Sequence, residues 1–208
     1  MTTIDLLLLC ASYLAGSLPI GLWIGRLRGV DLREHGSRNI GATNAGRVLG
    51  RRFFFLVFAL DFAKGCLPVV VAQRVGSGAL AADTFGLLAG VAAIVGHVFP
   101  LFLRFKGGKG VATAAGVFAA AAPWPALIAL LAWLALFLPT RYVSLASLGA
   151  AVVLPASCFL LPRHAGVAVG VPVQVAACAV GVLIVVRHRS NIGRLLRGEE
   201  SRAGRPKS

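Results

Sequence analysis

The run V-A-T-A-A-G-V-F-A-A-A-A-P-W-P-A-L-I-A-L-L-A-W-L-A-L-F-L-P, residues 111–139, decides how many times the chain crosses a membrane. All but four of its residues are hydrophobic or glycine; the exceptions are Thr113 and three prolines, of which Pro123 and Pro125 lie near the middle. Proline removes a helical hydrogen bond and disfavours helix at the preceding residue. The run is therefore either one kinked crossing or two short ones. Residues 111–122 would extend only ~18 Å as a helix, so a thinned or partly re-entrant pair is an alternative to two full crossings.

Composition places the whole chain in the membrane class. Of its 208 residues, 58% are hydrophobic and only 13% are charged, far from the balance of a soluble domain. Five further apolar runs are each about long enough to cross ~30 Å of hydrocarbon as helices: residues 4–24, 53–72, 83–103, 143–161 and 166–186. We therefore predict an all-α, polytopic integral membrane protein whose residues 1–208 form one membrane-embedded domain.

Loop charges decide between one and two crossings for residues 111–139. With two crossings, 18 of the 21 Lys and Arg residues fall in loops on one side, and the other side keeps only Arg74 and Arg163. With one crossing, the basic C-terminal cluster would change sides and the asymmetry would largely vanish. Cytoplasmic loops carry the excess of Lys and Arg, so we predict seven transmembrane helices, with the N-terminus outside and the C-terminus inside. The net charge of +14 reflects this topology and gives no reason to expect nucleic acid.

Three polar segments interrupt the apolar chain, and all three fall on the predicted cytoplasmic side. They are G-S-R-N-I-G-A-T-N-A-G-R (residues 36–47), F-K-G-G-K-G (105–110) and R-H-R-S-N-I-G-R (187–194). Successive backbone N–H groups in glycine-rich loops can bind anions, and Lys and Arg add charge suited to phosphate. Basic loops with turn glycines are also expected on this side without any ligand, but that reading leaves the clustered amides and hydroxyls unexplained.

Several side chains in these segments are candidates for chemistry. Lys109 precedes a membrane helix whose N-terminus favours an anion; the alternative is a snorkelling lysine in a tight turn. His188 and Asn191 share a face if the last helix continues through them, and His188 could act as a base or simply cap the helix. Asp61 and Lys64, one turn apart in the second apolar run, form either a helix-orienting ion pair or an indirect support for a nearby site.

The three segments, taken in order, resemble the three motifs of the bacterial acyl-phosphate-dependent glycerol-3-phosphate acyltransferases of the PlsY type. The second extends to F-K-G-G-K-G-V-A-T and the third to R-H-R-S-N-I-G-R-L-L-R-G-E-E. The resemblance spans the chain and includes G-S-L-P-I-G (residues 16–21) and D-F-A-K-G (61–65). The sequence departs from many relatives at Arg38, where they have glycine, and we expect this change to alter only the local charge.

The resemblance implies a reaction and a set of site residues. The 1-hydroxyl of sn-glycerol 3-phosphate attacks the carbonyl of acyl phosphate, giving lysophosphatidic acid and phosphate in the first step of bacterial phospholipid synthesis. The residues implied to act in catalysis are Ser37, Arg47, Lys109, His188 and Asn191. Those implied to hold the phosphate of the acyl phosphate are Gly36, Ser37, Asn39, Gly41, Ala42, Thr43 and Asn44. Those implied to bind glycerol 3-phosphate are Arg47, Lys106, Gly107, Gly108, Lys109, His188 and Asn191.

The resemblance also implies a setting. The protein is expected in the bacterial cytoplasmic membrane among its lipids, with the active site facing the cytoplasm, with an acyl-phosphate-producing enzyme as a partner, and with neither metal nor cofactor. Proton removal by a phosphate oxygen of the substrate is favoured over His188 as the base, because no carboxylate lies within the three segments. The alternative functions are a small membrane transporter of an anionic substrate and a membrane adaptor with a lipid-binding basic tail.

Overall fold

Helices make up almost all regular structure in the computed structural model, which describes residues 1–161 and 169–204, and these residues contain no β-strand. The ten α-helices described are α1 (Thr3–Ser17), α2 (Ile20–Leu27), α3 (Ala42–Leu49), α4 (Arg51–Val75), α5 (Ala82–Val98), α6 (Val111–Ala121), α7 (Pro123–Thr140), α8 (Val143–Leu160), α9 (Val171–Arg187) and α10 (Arg189–Leu196). A short 3₁₀ turn, Leu101–Leu103, follows α5. Residues 1–121 form one compact unit and residues from 122 onward form a second.

The first apolar run of the first unit is a broken helix. Thr2 and Asp5 form a capping box that starts α1, which satisfies two N–H groups that lack intrahelical acceptors. The helix ends at Ser17, and α2 resumes at Ile20 after Leu18 and Pro19. Proline supplies no N–H to continue the hydrogen-bond ladder. Helices α1 and α2 together cover Thr3–Leu27. The break between them leaves backbone carbonyls available inside the apolar run.

Small residues let the helices of the first unit pack closely. On α4, a Cβ added at Gly65 would overlap the backbone carbonyl of Thr113 on α6, and one at Gly116 would overlap the carbonyl of Phe62. The backbones of α4 and α6 therefore approach to a distance that any larger side chain would prevent. Phe118 is almost fully buried in this unit. This packing fixes the start of α6, where the second polar segment ends.

The break predicted at Pro123 and Pro125 is confirmed, because α6 ends at Ala121 and α7 begins at Pro123. Proline is well suited to the first turn of a helix, where its missing N–H has no acceptor to lose. The 11 residues of α6 extend only ~16 Å. It is therefore shorter than the candidate membrane spans of the described residues, each of which has at least 18 residues.

The second unit contains α7 to α10. The indole Nε1–H of Trp133 on α7 donates to Ser147 Oγ on α8 at 3.3 Å, and α9 packs against α8. At His188 the chain bends by 58° between α9 and α10. A shared helical face for His188 and Asn191 required a straight helix through the third polar segment. The bend shows that the last helix is not straight there.

The helices agree with the predicted polytopic, all-α membrane protein. Within residues 1–161 and 169–204, five helical spans are long and apolar enough to cross a membrane, and the bent pair α9–α10 makes a sixth if it is one span. The short α6 would supply the seventh. The number of crossings, their orientation and the single domain over residues 1–208 stay predictions. Of the loop charges used to derive the orientation, Arg163, Arg205 and Lys207 lie outside the described residues.

Candidate active site

The first polar segment is organised around one buried amide. The Asn44 side chain is 1% exposed, and its Nδ2 donates to the carbonyls of Leu32 (3.0 Å), His35 (3.0 Å) and Asn39 (2.8 Å). Its Oδ1 accepts from the N–H of Ser37 at 2.8 Å. A buried amide with all these partners is a strong constraint on the backbone. Asn44 therefore sets the shape of the loop in front of α3.

The loop delivers the chain to the N-terminus of α3. Asn39 Oδ1 accepts from the N–H of Gly41 at 2.9 Å, and Gly41 is the residue that precedes the helix. The N–H groups of the first helical turn, beginning with Ala42 and Thr43, lack intrahelical acceptors and carry a partial positive charge. Arg47, which is exposed, lies four residues after Thr43 and on the same helical face. The segment thus presents N–H donors, a hydroxyl and a cation together.

Two left-handed residues, on either side of Ser37, shape the start of this loop. Gly36 has φ +61° and Arg38 has φ +57°. Glycine adopts this region at no steric cost, whereas an arginine there is unfavourable by about 1–2 kcal/mol. Arg38 was expected to change only the local charge. The structure corrects that expectation, because Arg38 also places a side chain where the backbone favours glycine.

An acidic turn anchors the chain just before the loop. Asp31 accepts hydrogen bonds from the side chain and the N–H of Arg33, each at 2.9 Å to Oδ1, and Arg26 lies 3.8 Å from its Oδ2. These hydrogen bonds, with the arginine charges, hold the pKa of Asp31 well below its usual range. The turn therefore keeps its negative charge, and its contacts, at neutral pH.

The second polar segment folds back onto the end of α5. The N–H of Gly107 donates to the Val98 carbonyl at 3.2 Å, and that of Gly108 donates to the His97 carbonyl at 3.1 Å. Gly110 then takes φ +85°, and α6 begins at the next residue. Lys109 is half-buried and Lys106 is exposed. We call residues 106–110 the glycine-lysine loop; as predicted, it leads directly into a helix N-terminus.

A buried ionic cluster lies beneath this loop. Lys64 Nζ is 2.8 Å from Asp61 Oδ1 and donates to the Leu18 carbonyl at 3.0 Å, in the break between α1 and α2. His97 Nδ1 is 3.7 Å from the same carboxylate oxygen. Buried charges require such partners. The predicted Asp61–Lys64 ion pair is therefore present, and it also connects to the end of α5.

The buried ionic cluster lines a crevice of the first unit. The lining residues of this crevice are Gly16, Ser17, Leu18, Pro19, Ile20, Gly21, Ile40, Asp61, Lys64, His97 and Pro100. Ile40 belongs to the first polar segment, and the His97 carbonyl accepts from the glycine-lysine loop. The crevice therefore touches the first polar segment at Ile40 and is linked to the glycine-lysine loop through His97.

The third polar segment, in the second unit, centres on Glu200. Its carboxylate accepts from Asn191 Nδ2 (2.7 Å), Ser144 Oγ (2.8 Å) and Arg194 Nε (2.6 Å). Burial of the carboxylate opposes ionisation, but these hydrogen bonds outweigh it and lower the pKa of Glu200. Glu200 lies outside the three core segments and was assigned no role from sequence. The only signal for it was the G-E-E that ends the extended third motif.

His188 is held in one orientation at the bend. Its side chain is 2% exposed, and Nδ1 is 2.8 Å from the Ile184 carbonyl. A carbonyl oxygen can only accept, so Nδ1 carries a proton, and Nε2 is the accepting nitrogen of the neutral ring. The N–H of Asn191 donates to the His188 carbonyl at 2.8 Å. His188 and Asn191 are therefore fixed next to each other despite the bend.

The predicted site residues fall into two sets. The first unit contains the residues of the first two segments: Gly36, Ser37, Asn39, Gly41, Ala42, Thr43, Asn44, Arg47, Lys106, Gly107, Gly108 and Lys109. The second unit contains His188 and Asn191. Sequence reasoning missed His97 and Glu200, which are joined to the predicted residues by contacts between segments far apart in the chain.

The fold and the site together define a class: a polytopic helical membrane protein with glycine-rich, cationic polar loops. Residues 6–198 match the family model described as glycerol-3-phosphate acyltransferase. The glycerol-3-phosphate acyltransferase of Anaeromyxobacter dehalogenans (strain 2CP-1) is 48% identical over 199 residues, covering 94% of this chain and 96% of the relative. That of Aquifex aeolicus (strain VF5) is 47% identical over 198 residues, covering 95% and 98%.

Solved structures give the same result. The crystal structure of PlsY (YgiH), an integral membrane glycerol 3-phosphate acyltransferase, in its glycerol 3-phosphate form is 45% identical to this chain, with a TM-score of 0.85 and 96% of each chain covered. The lysophosphatidic acid form has a TM-score of 0.82 at 44% identity, with 96% of this chain and 95% of that chain covered. The chain belongs to the glycerol-3-phosphate acyltransferase family.

Proposed function

We propose that this protein transfers the acyl chain of an acyl phosphate to the 1-hydroxyl of sn-glycerol 3-phosphate. Membership in the glycerol-3-phosphate acyltransferase family supports the acceptor, as does the similarity to a crystal structure of the glycerol 3-phosphate form. The observation that carries the proposal is the pair of basic, glycine-rich loops in the first unit, each leading into a helix. Each loop combines a helix N-terminus with a basic residue, an arrangement suited to phosphate.

The first polar segment is the proposed site for the phosphate of the donor. Asn44 and Asn39 hold the loop by their side chains, so the proposed direct donors are the N–H groups that open α3 and the hydroxyls of Ser37 and Thr43. Arg47 supplies the positive charge. Because the loop is fixed before any ligand arrives, little reorganisation is needed when it binds.

Glycerol 3-phosphate is proposed to bind through the glycine-lysine loop, with Lys109 as the principal cation and Lys106 as a second. His188 and Asn191 act on the same substrate. The 1-hydroxyl oxygen forms a bond to the acyl carbonyl carbon, the bond from that carbon to the phosphate oxygen breaks, and inorganic phosphate leaves. An acyl phosphate has a good leaving group, so positioning and charge neutralisation supply most of the rate acceleration.

The hydroxyl proton goes to an oxygen of the departing phosphate. His188 is the alternative acceptor, and the orientation of its ring makes Nε2 the nitrogen that would take the proton. If the phosphate accepts the proton, the variant His188→Gln, which keeps a polar side chain, should retain much of the turnover. Loss of all turnover in that variant, with the fold intact, would assign the proton to His188.

The proposed setting is the bacterial cytoplasmic membrane, with the polar loops facing the cytoplasm. An enzyme that makes acyl phosphate is the proposed partner, since this donor is chemically labile and partitions into the membrane. The long apolar helices are consistent with a substrate whose acyl chain stays in lipid.

A comparison of donors tests the proposed function. Purified protein in detergent is assayed with glycerol 3-phosphate and, in parallel, acyl phosphate, acyl-CoA and acyl-carrier protein. We expect only acyl phosphate to support efficient acyl transfer, because the candidate site consists of small anion-binding loops. Efficient turnover with acyl-CoA and none with acyl phosphate would contradict the proposed donor.

A further inference from the structure

His97 lies where the end of α5 meets the glycine-lysine loop. Its side chain is 6% exposed, and its carbonyl accepts from the N–H of Gly108 at 3.1 Å. The imidazole ring also lies against Gly108, because a Cβ added at Gly108 would overlap the ring. The same residue therefore holds the loop by its backbone and limits its position by its side chain.

The ring of His97 packs against the buried ionic cluster. Asp61 Oδ1 is 3.7 Å from His97 Nδ1, a distance of close packing that is too long for a hydrogen bond. Asp61 is paired with Lys64, and Lys64 is fixed by the Leu18 carbonyl. The chain of contacts thus runs from the break between α1 and α2, through α4, to Gly108.

The cluster is a packed joint between helices, and Asp61, Lys64 and His97 all line the crevice of the first unit. Both members of the ion pair are buried, Asp61 at 3% and Lys64 at 8% exposed, and buried ion pairs often specify geometry more than they add stability. A joint of this kind directly beneath a substrate-binding loop fixes where that loop sits.

We propose that His97, packed against the buried ionic cluster, is a positioning residue that places Gly108 and therefore Lys109 for the phosphate of glycerol 3-phosphate. This inference rests on the proposed function. His97 acts through the loop and does not itself contact the substrate. Nothing in the sequence pattern of the three polar segments includes it.

Kinetics of His97→Ala separate positioning from a general packing role. We expect the KM for glycerol 3-phosphate to rise on the order of 10-fold or more, while the KM for acyl phosphate changes less than about twofold, since a small displacement of a binding group can weaken its contribution by up to ~100-fold. Phe85→Leu is the matched control. Phe85 is a buried residue on the same helix and packs in a separate apolar cluster. Phe85→Leu should therefore lower the unfolding midpoint without raising the KM for glycerol 3-phosphate more than the KM for acyl phosphate.

A second pair of variants tests the contact between His97 and Gly108. Gly108→Ala forces a methyl group into the ring and should raise the KM for glycerol 3-phosphate like His97→Ala. The double variant His97→Ala with Gly108→Ala has room for that methyl group, so its KM should be lower than that of Gly108→Ala alone. If His97→Ala does not fold, His97→Asn, which is shorter but keeps a polar side chain, takes its place in both the single and the double variant.

The outcomes are distinct. A selective rise in the KM for glycerol 3-phosphate, with relief in the double variant, supports the proposal. Wild-type KM values in a folded His97→Ala, or an equal rise in both KM values, contradict it and leave His97 as a packing residue. Failure of the wild-type protein to acylate glycerol 3-phosphate would contradict the proposed function itself.

Discussion

Three polar residues differ in how far their roles could be predicted from the sequence: Lys109, Asn44 and Glu200. The sequence singled out Lys109 by its glycines and by the helix that follows, and the structure places it at that helix N-terminus. Asn44 was also predicted, but its side chain shapes the loop through its own hydrogen bonds. Glu200 was missed because its partners Ser144 and Asn191 are 56 and 9 residues away, and such pairing cannot be read from local spacing.

Replacing Lys109 with alanine should cut activity while leaving the fold intact. Losing one charge-assisted phosphate contact costs about 1.5–3 kcal/mol, or roughly 10- to 150-fold in rate at limiting glycerol 3-phosphate. Lys109→Arg keeps the charge but changes the shape, so it should recover only part of the activity. Steady-state kinetics in detergent measure all three proteins.

Arg104→Asn is the control for Lys109. Arg104 is exposed, precedes the glycine-lysine loop and has φ +50°, a conformation that asparagine tolerates. It removes one nearby charge without touching the loop and should change activity less than about twofold. Near-wild-type turnover of Lys109→Ala at limiting glycerol 3-phosphate would remove Lys109 from the site.

Replacing Arg38 with glycine should stabilise the protein. The left-handed conformation at Arg38 costs about 1–2 kcal/mol for arginine, and the extra freedom of glycine in the unfolded chain offsets about 0.5–1 kcal/mol of the gain. We expect a net gain of about 0.5–1 kcal/mol, measured as a higher unfolding midpoint. Arg38→Lys keeps both the charge and the strain, so its midpoint should not move. A lower midpoint for Arg38→Gly would show that the arginine side chain contributes more than its backbone strain costs.

At the scale of elements, the prolines predict some of the helix breaks and not others. The break before α7 was predicted from Pro123 and Pro125, and Pro19 marks the break between α1 and α2. However, Pro68 and Pro155 lie inside continuous helices. Neighbouring helices can support a proline within a membrane span, so proline alone does not predict a break. The bend at His188 contains no proline, and no residue pattern around it predicts a bend.

The Glu200 cluster should control the stability of α10. Glu200→Gln removes the charge that holds Arg194 and weakens the acceptor for Asn191, so we expect a loss of about 1–3 kcal/mol at pH 7. The folded-state pKa of Glu200 lies below its usual 4.5, so its contribution is present above that pH. It is lost as the pH falls from about 4.5 through the folded-state pKa. Unfolding midpoints at pH 7 and pH 4 should therefore differ less in Glu200→Gln than in wild type. An unchanged pH dependence would contradict this role.

At the scale of the whole molecule, hydropathy and loop charge predicted the class of fold. Long apolar runs require helices in lipid, because every backbone polar group must be satisfied internally, and the helices found correspond to the predicted runs. The grouping into two compact units was not predictable, since the apolar runs carry no pattern that shows which helices pair. The packing of α4 against α6, for example, depends on single glycines in each.

Cysteine labelling tests the predicted orientation. In a background without the four native cysteines, Ser201→Cys should react only from the cytoplasmic side and Ala79→Cys only from outside. Ala79 is a better label site than the nearby Ser77, whose Oγ donates a 2.6 Å hydrogen bond to Asp5. Ser201 reacting from outside would contradict the seven-helix topology and place the third polar segment on the opposite side from the others.

The most direct test of the central claim is the stoichiometry of products from purified protein in detergent, where transport cannot be scored. Acyl phosphate is incubated with and without glycerol 3-phosphate, and inorganic phosphate and lysophosphatidic acid are both quantified. We predict that phosphate release depends on glycerol 3-phosphate and matches lysophosphatidic acid one to one. Phosphate release without lysophosphatidic acid, or binding of glycerol 3-phosphate with no product, would contradict the assignment as an acyltransferase.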